Sequence, residues 1–436
     1  MAKRLTLRQG FSAVLFWSII SAAFIGPGTV TMAASTGAGY RMQLLWALLF
    51  SVVATIVLQE AAARLTIASG KNLGEIVALR FRGRRSLRLR CLLFASVVFG
   101  CAAYQAGNLL GAFSGLSLFD DFSRPLATVV LGAICSTFLW FGNYAFIARF
   151  LGIVVALMGL LFIVVAMQSD VTSAEMINGA LQPAIPAGGA LLVVGLIGTT
   201  IVPYNLFLAS GISQGQDIRE MRWGLVLAIL IGGLISVAIM VVGTQVRGVF
   251  SFTALSSALE GQLGPWATVL FGLGLFAAGL SSSITAPLAA AITARSLLSS
   301  GQSGWSVRGR WFRLVWLGVL GVGLLFGLLD VQPIPAIIMA QVINGILLPI
   351  IGLFLFAAAN DRDLLGEAYT NQSMANLLML LIVGITCFLG LNNIWKALNR
   401  TFRWEWSNNP TALWLLGLAS LLLVVGTAWV VLRKVE

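Results

Sequence analysis

The chain has 436 residues, of which 59% are hydrophobic and 10% charged, and its formal net charge is +12. Soluble domains carry roughly 25% charged residues, so this composition excludes an ordinary water-facing surface and calls for lipid. Apolar runs of about 20 residues, the length that crosses a hydrocarbon core of about 30 Å, recur along the whole chain. They predict twelve spans, in chain order 11–34, 44–67, 91–112, 125–142, 145–167, 188–212, 223–247, 266–298, 313–329, 334–358, 374–395 and 412–432. The runs lack the polar–apolar alternation of barrel strands, so the fold class is an all-α integral membrane protein, read as a single polytopic domain over 1–436.

Span 1 contains Gly26-Pro27-Gly28-Thr29. Proline has no N–H and glycine is a poor helix former, so Gly26, Pro27 and Gly28 predict an interruption at mid-membrane. Span 2 holds Glu60 with Arg64 one turn later, a spacing that lets the two pair on one helix face. An acid inside a span is a functional candidate by default, so the pair is read either as a gate or coupling site or as a structural lock on span 2. The basic run from Arg80 to Arg90, before span 3, suits either topology or anionic headgroups. The cysteines at 91, 101, 135 and 387 have no CxxC spacing and read as small buried hydrophobes. The connection near 169–186 carries Asp170 and Glu175.

Span 6 reads Thr199-Thr200-Ile201-Val202-Pro203-Tyr204-Asn205, again with proline at mid-span. Backbone groups freed at that depth must meet protein, ligand or a wet cavity. An interrupted helix opening each set of five spans is the signature of a transporter built from inverted repeats, here 11–167 and 188–358, with 374–432 as two extra helices.

Charge placement orients the chain. With the N-terminus inside, all but six of the 27 Lys and Arg residues fall on the cytoplasmic side, the exceptions being Arg41, Arg124, Arg247, Lys396, Arg400 and Arg403. That is the positive-inside pattern. It predicts cytoplasmic termini and makes the net charge a topology signal, with no nucleic-acid partner implied. The chain has no His, no GxSxG and no paired intramembrane Asp, which removes a Ser–His–Asp triad, imidazole metal ligation and an aspartyl dyad. No enzyme activity and no cofactor are expected.

Several stretches resemble the NRAMP family of metal-ion transporters, which share the LeuT-type fold. They are Leu44-Leu45-Trp46, Leu58-Gln59, Ala63 through Leu73, Val202-Pro203 to Ser210, Gly279 through Ser283, Gln341-Val342-Ile343 and Leu348-Pro349, in the family's order across most of the first ten spans. The resemblance implies inverted repeats of spans 1–5 and 6–10, a substrate between the breaks of spans 1 and 6, and a bacterial-type inner membrane. It also exposes a departure. The family's Asp-Pro-Gly-Asn falls on Gly26-Pro27-Gly28-Thr29, and its Ala-x-x-Met-Pro-His on Thr199 through Tyr204. The metal-binding Asp, Asn and Met are thus replaced by Gly26, Thr29 and Val202, and the histidine by Tyr204. Span-3 positions that often carry acids are Gln105 and Asn108. No metal ligands are therefore expected.

The expected substrate-binding set is Gly26, Gly28, Thr29, Thr199, Val202, Tyr204 and Asn205 at the breaks. Gln105, Asn108, Ser283, Gln341 and Asn344 join it by resemblance. Hydroxyls and amides both donate and accept hydrogen bonds, and a divalent ion placed among them without a carboxylate keeps two uncompensated charges. The leading expectation is a secondary transporter of a small organic solute, an amino acid or amine, working by alternating access. The alternative is a divalent-cation transporter with an atypical site, and a second alternative is a non-transporting membrane sensor. The expected partners are the small-molecule or ion substrate and the lipid bilayer.

Overall fold

The structure, a computed structural model, describes residues 25–80, 84–142, 145–213, 215–299, 303–329, 331–402 and 410–432. Among the described residues the secondary structure is helical throughout. At membrane depth only helices and closed barrels satisfy every backbone group internally. Among the described residues eleven helices are long and apolar enough to cross a bilayer, matching predicted spans 2 to 12. The first half of span 1 lies outside the described residues.

The second half of span 1 is α1 (Pro27–Tyr40), which runs past the predicted end. It is followed by α2 (Leu45–Ser69), the short α3 (Leu73–Arg80), α4 (Arg84–Leu116), α5 (Arg124–Phe141) and α6 (Ala145–Ala166). A connection helix α7 (Ser173–Leu181) precedes the two halves of span 6, α8 (Ala190–Thr200) and α9 (Pro203–Ile212). Then come α10 (Ile218–Gly243), α11 (Phe252–Leu263), α12 (Trp266–Leu298), α13 (Arg310–Leu328), α14 (Pro333–Ala359), the single turn α15 (Arg362–Leu365), α16 (Ser373–Phe402) and α17 (Pro410–Leu432). Span 3 departs most from its predicted bounds. α4 starts seven residues before position 91 because a helix needs no apolar residue once it leaves the hydrocarbon layer.

The most extensive packing is α12 against α4, and α4 also lies along α13 and α14. A second group joins α1 to α10 and α2 to α8, α9 and α10. Partners recur between the two sets of five spans: span 5 lies on span 8 as span 10 lies on span 3, and span 7 on span 1 as span 2 on span 6. The broken span 6 is central, with 83% of its most apolar window buried, against 17% for α17. α17 therefore turns most of its surface to lipid.

Small residues set the crossings, as they do where helices pack without a hydrophobic drive between them. A methyl on Gly198 of α8 would land on the Gln341 carbonyl of α14, and one on Gly345 of α14 would sit 2.5 Å from the Val194 carbonyl of α8. In the same way Gly37 of α1 lies against the Met240 carbonyl of α10, and Gly243 of α10 against the Ala34 carbonyl of α1.

Candidate functional site

Both interruptions are present, and their geometry corrects the residue-level expectation. Gly26 is extended (φ −95°, ψ 176°), but Pro27 and Gly28 already belong to α1. Ile201 (φ −98°, ψ 79°) and Val202 (φ −82°, ψ 123°) form the second break, and Pro203 opens α9. Proline's fixed φ suits the first helical position, where its missing N–H is not needed. The prolines therefore start the half-helices, and the residues before them are unwound. Because Pro203 has no N–H, the Thr199 carbonyl has no helical partner. The breaks thus gather two helix N-termini, positive by the helix dipole, and the negative C-terminus of α8.

The structure brings most of the expected set together. Thr29 and Thr199 stand hydroxyl to hydroxyl at 3.3 Å, both buried, although 170 residues separate them. Gly28 lies directly under the Gln341 amide, where a Cβ would strike it. Gln105 donates from Nε2 to the Ser283 carbonyl at 3.1 Å. Tyr204 packs edge-on to Tyr104 at 5.8 Å between centroids, and the Tyr104 hydroxyl lies against the Thr199 side chain. Val202 is buried at the break. Asn344 sits apart: three residues beyond Gln341 on α14, it turns its Oδ1 towards Gly100 of α4.

Two residues were missed from the sequence. Tyr104 precedes Gln105, and a tyrosine inside an apolar span was the available signal. Ser282 lies with its Oγ 3.3 Å from where a Gly26 side chain would begin, and nothing distinguished it from its neighbours in the 281–283 serine run.

The chemistry of the site lies in its unmet hydrogen bonds. Gln105 Oε1, Asn108 Nδ2, both side-chain polar atoms of Asn205, Ser283 Oγ and Gln341 Oε1 are buried without a protein partner. So are Thr31 Oγ1 and Ser35 Oγ further along α1. Each such group costs about 1–3 kcal/mol if left dry and alone. Similar atoms occur elsewhere at Arg90, Thr293, Asn344, Asn392 and Asn399, but among the described residues they are dense only around the breaks. The set is neutral and mixes donors with acceptors. Among the described residues no group of three or more His, Cys, Asp or Glu could hold a metal ion.

Glu60 and Arg64 are not part of this cluster. Thr55 marks the level of the break, with its Oγ1 3.4 Å from the Thr200 carbonyl. Five residues further along α2, at a rise of about 1.5 Å each, Glu60 is about 7.5 Å away along the axis. There Arg64 Nε donates to both Glu60 oxygens at 3.1 Å, and Arg222 of α10 donates from Nε to Oε1 at 2.8 Å. Arg64 also donates to the Tyr369 carbonyl and to Asn371 Oδ1. The acid thus joins α2, α10 and the 366–372 connection. Arg222, in a different span, was not anticipated.

At the opposite end a second contact holds α1. Arg41, at a positive φ of 49°, forks onto Glu175 of α7 at 2.7 and 3.1 Å. Tyr40 and Trp46 donate to the carbonyls of Ala187 and Ala184, both at 3.0 Å. The Arg41 guanidinium holds the Glu175 carboxyl below its ordinary value of 4.5. A lowered value means that the contact's stabilisation is complete above 4.5 and is lost as pH falls through the lowered value. Both side chains are partly exposed, so the contribution is below about 1 kcal/mol. E175Q is expected to melt slightly below the wild type at pH 7, and the gap to close in thermal scans taken towards pH 3.

Comparison with known proteins agrees with this architecture. The family model for natural resistance-associated macrophage protein-like (Nramp) chains matches residues 18–396. The divalent metal cation transporter MntH of Deinococcus radiodurans is 28% identical over 379 residues, covering 81% of this chain and 83% of that one. Among solved structures, the Eremococcus coleocola manganese transporter superimposes with a TM-score of 0.73 at 17% identity, covering 100% of this chain and 96% of that one. MhsT, solved with L-phenylalanine, has a TM-score of 0.60 at 15% identity, covering 90% and 98%. The structural matches concern the fold, and the family match rests on most of the sequence. From its interrupted spans, its helix packing and these matches together, the chain belongs to the NRAMP family and is a membrane transporter.

Proposed function

We propose that the chain is a secondary transporter that binds its substrate between the α1 break and the α8–α9 break, and that the substrate is a small neutral or zwitterionic organic solute. The observation that carries this reading is the dense set of buried, neutral, unpartnered polar atoms on Gln105, Asn108, Asn205, Ser283 and Gln341. Such a set can satisfy both the donors and the acceptors of an organic molecule. The positive N-termini of α1 and α9 suit a substrate carboxylate. On this reading 11–167 and 188–358 are the inverted repeats, 374–432 is peripheral, the membrane is a bacterial-type inner membrane and both termini are cytoplasmic.

A second reading has its own support. The relatives' names favour a divalent cation over an organic solute. The side chains at the breaks restrict what such a cation could be. Transition metals prefer softer thioether or imidazole ligands, and positions 26, 29, 202 and 204 hold Gly, Thr, Val and Tyr. Amide and hydroxyl oxygens suit a hard cation that keeps several of its waters.

Calorimetry on the purified protein separates the two, with Mn²⁺, Mg²⁺, amino acids and amines titrated in parallel. Heat from an amino acid or amine and none from either metal supports the organic reading. Saturable Mg²⁺ or Mn²⁺ binding overturns it in favour of the cation. Gly26→Asp adds a check on register. Its Cβ would meet only Ser282 Oγ at 3.3 Å, so a side chain can start there once that hydroxyl gives by a few tenths of an ångström, and a gain of Mn²⁺ affinity is expected. Wild-type behaviour in a folded G26D protein would mean that position 26 does not face the substrate.

A further inference from the structure

Beyond transport itself, we infer that one end of the helix bundle carries a binding site for an anionic phospholipid headgroup, centred on Arg310 and Arg313 at the start of α13. Two observations on these side chains carry the inference. The Arg313 guanidinium lies 3.9 Å over the ring of Trp140, and Arg310 lies 5.0 Å over that of Trp311. Stacking occupies one face of each guanidinium and leaves edge N–H groups free in a planar fork that matches phosphate oxygens.

The surroundings favour an anion. No Asp or Glu occurs anywhere in α4, α5, α6, α12 or α13. Arg90 donates from Nη1 to the Leu297 carbonyl at 3.4 Å, which puts the start of α4 and the end of α12 at one level. The Trp140–Trp316 edge contact brings the end of α5 and the start of α13 to the same end. Arg88, Arg149 and Arg308 are exposed there as well. An array of one sign with no counter-charge on its own helices attracts anionic lipid.

The rim identifies the partner as a lipid and not a soluble polyanion. Trp140 is 50% exposed and Leu314 55% exposed, directly beside the stacked arginines. A headgroup on the arginines would carry its acyl chains onto these residues, and aromatic rings of this kind sit at headgroup depth. A nucleic acid or acidic peptide would leave them in water.

The test uses the full chain reconstituted in nanodiscs of phosphatidylcholine alone or with one-third phosphatidylglycerol. Tm is read in each lipid, and bound lipid is counted by native mass spectrometry. Phosphatidylglycerol is expected to raise the wild-type Tm by about 3 °C or more and to be retained on the protein. R310Q/R313Q should lose most of the shift and the retained lipid. The control R219Q/R362Q removes two exposed arginines at the same end, on α10 and α15, and should keep both. The readout is the difference between lipids, so a uniform loss of stability in a variant does not obscure it. No shift in the wild type overturns the site, and equal loss in the control overturns it in favour of general surface charge.

Discussion

Gly198→Ala is expected to lower thermal stability and to reduce transport at least about tenfold. A methyl at this position lands on the Gln341 carbonyl oxygen and comes within 2.5 Å of the Gly345 amide nitrogen. Both obstacles are backbone, so no rotamer change relieves them and α8 must move off α14. Overpacking a well-filled interior costs about 1–3 kcal/mol, and the cost here should lie near the upper end. The same displacement carries Thr199 away from Thr29 and Gln341 away from the break, so folding and function fall together.

Gly28→Ala provides the contrast. Its methyl meets the flexible amide of Gln341, which can swing aside, and alanine is favoured over glycine by about 1 kcal/mol in a helix interior and by less in the first turn, where Gly28 lies. G28A should therefore keep or raise the Tm while weakening substrate binding. Thermal scans and uptake into proteoliposomes, run on both variants, decide the matter. Wild-type uptake and Tm in G198A would mean that α8 and α14 do not approach as closely as the structure places them.

Glu60→Ala is the second large effect. Glu60 is the acceptor for both Arg64 and Arg222, and Arg64 is 5% exposed. Removing the carboxylate leaves a buried guanidinium without its counter-ion. Breaking a fully buried pair costs about 3–5 kcal/mol. Glu60 is 20% and Arg222 51% exposed at their side chains, so we expect about 2–3 kcal/mol. E60Q keeps an acceptor oxygen and should lose less. R64A leaves Glu60 paired to Arg222 but releases Tyr369 and Asn371, so it should increase protease access to 366–372. These three variants also decide between a gate and a lock. A lock loses stability in the order E60A then E60Q with substrate affinity unchanged. A gate or proton site would show altered transport kinetics in a variant whose Tm is normal.

The same residues show how far the sequence could be read. Eleven of the spans, the two breaks and the pairing of Glu60 with Arg64 all follow from local rules. Hydrophobic length marks a span, proline and glycine mark an interruption, and i,i+4 spacing lets two charges meet. The substrate set was read partly from these breaks and partly from family resemblance, and Thr29 and Thr199 do meet. The misplaced detail was local as well. The local pattern predicts unwinding at Pro27 and Pro203, whereas both begin helices, because the rule that removes proline from a helix interior favours it at the first turn.

A bundle of membrane helices interrupted at two matching points, without a carboxylate at either break, is thus legible in the order of the amino acids. Those features depend on composition and short-range spacing. Tertiary structure alone decided which polar groups share the site. A helix that is apolar on every side carries no pattern saying which face meets which neighbour. The answer comes from crossings such as Gly198 on Gly345, where backbones approach and fix the rotation of each helix. That rotation sets Tyr104 against Tyr204 and Thr199, aims Gln341 at Gly28, and brings Arg222 from another span to the acid at Glu60.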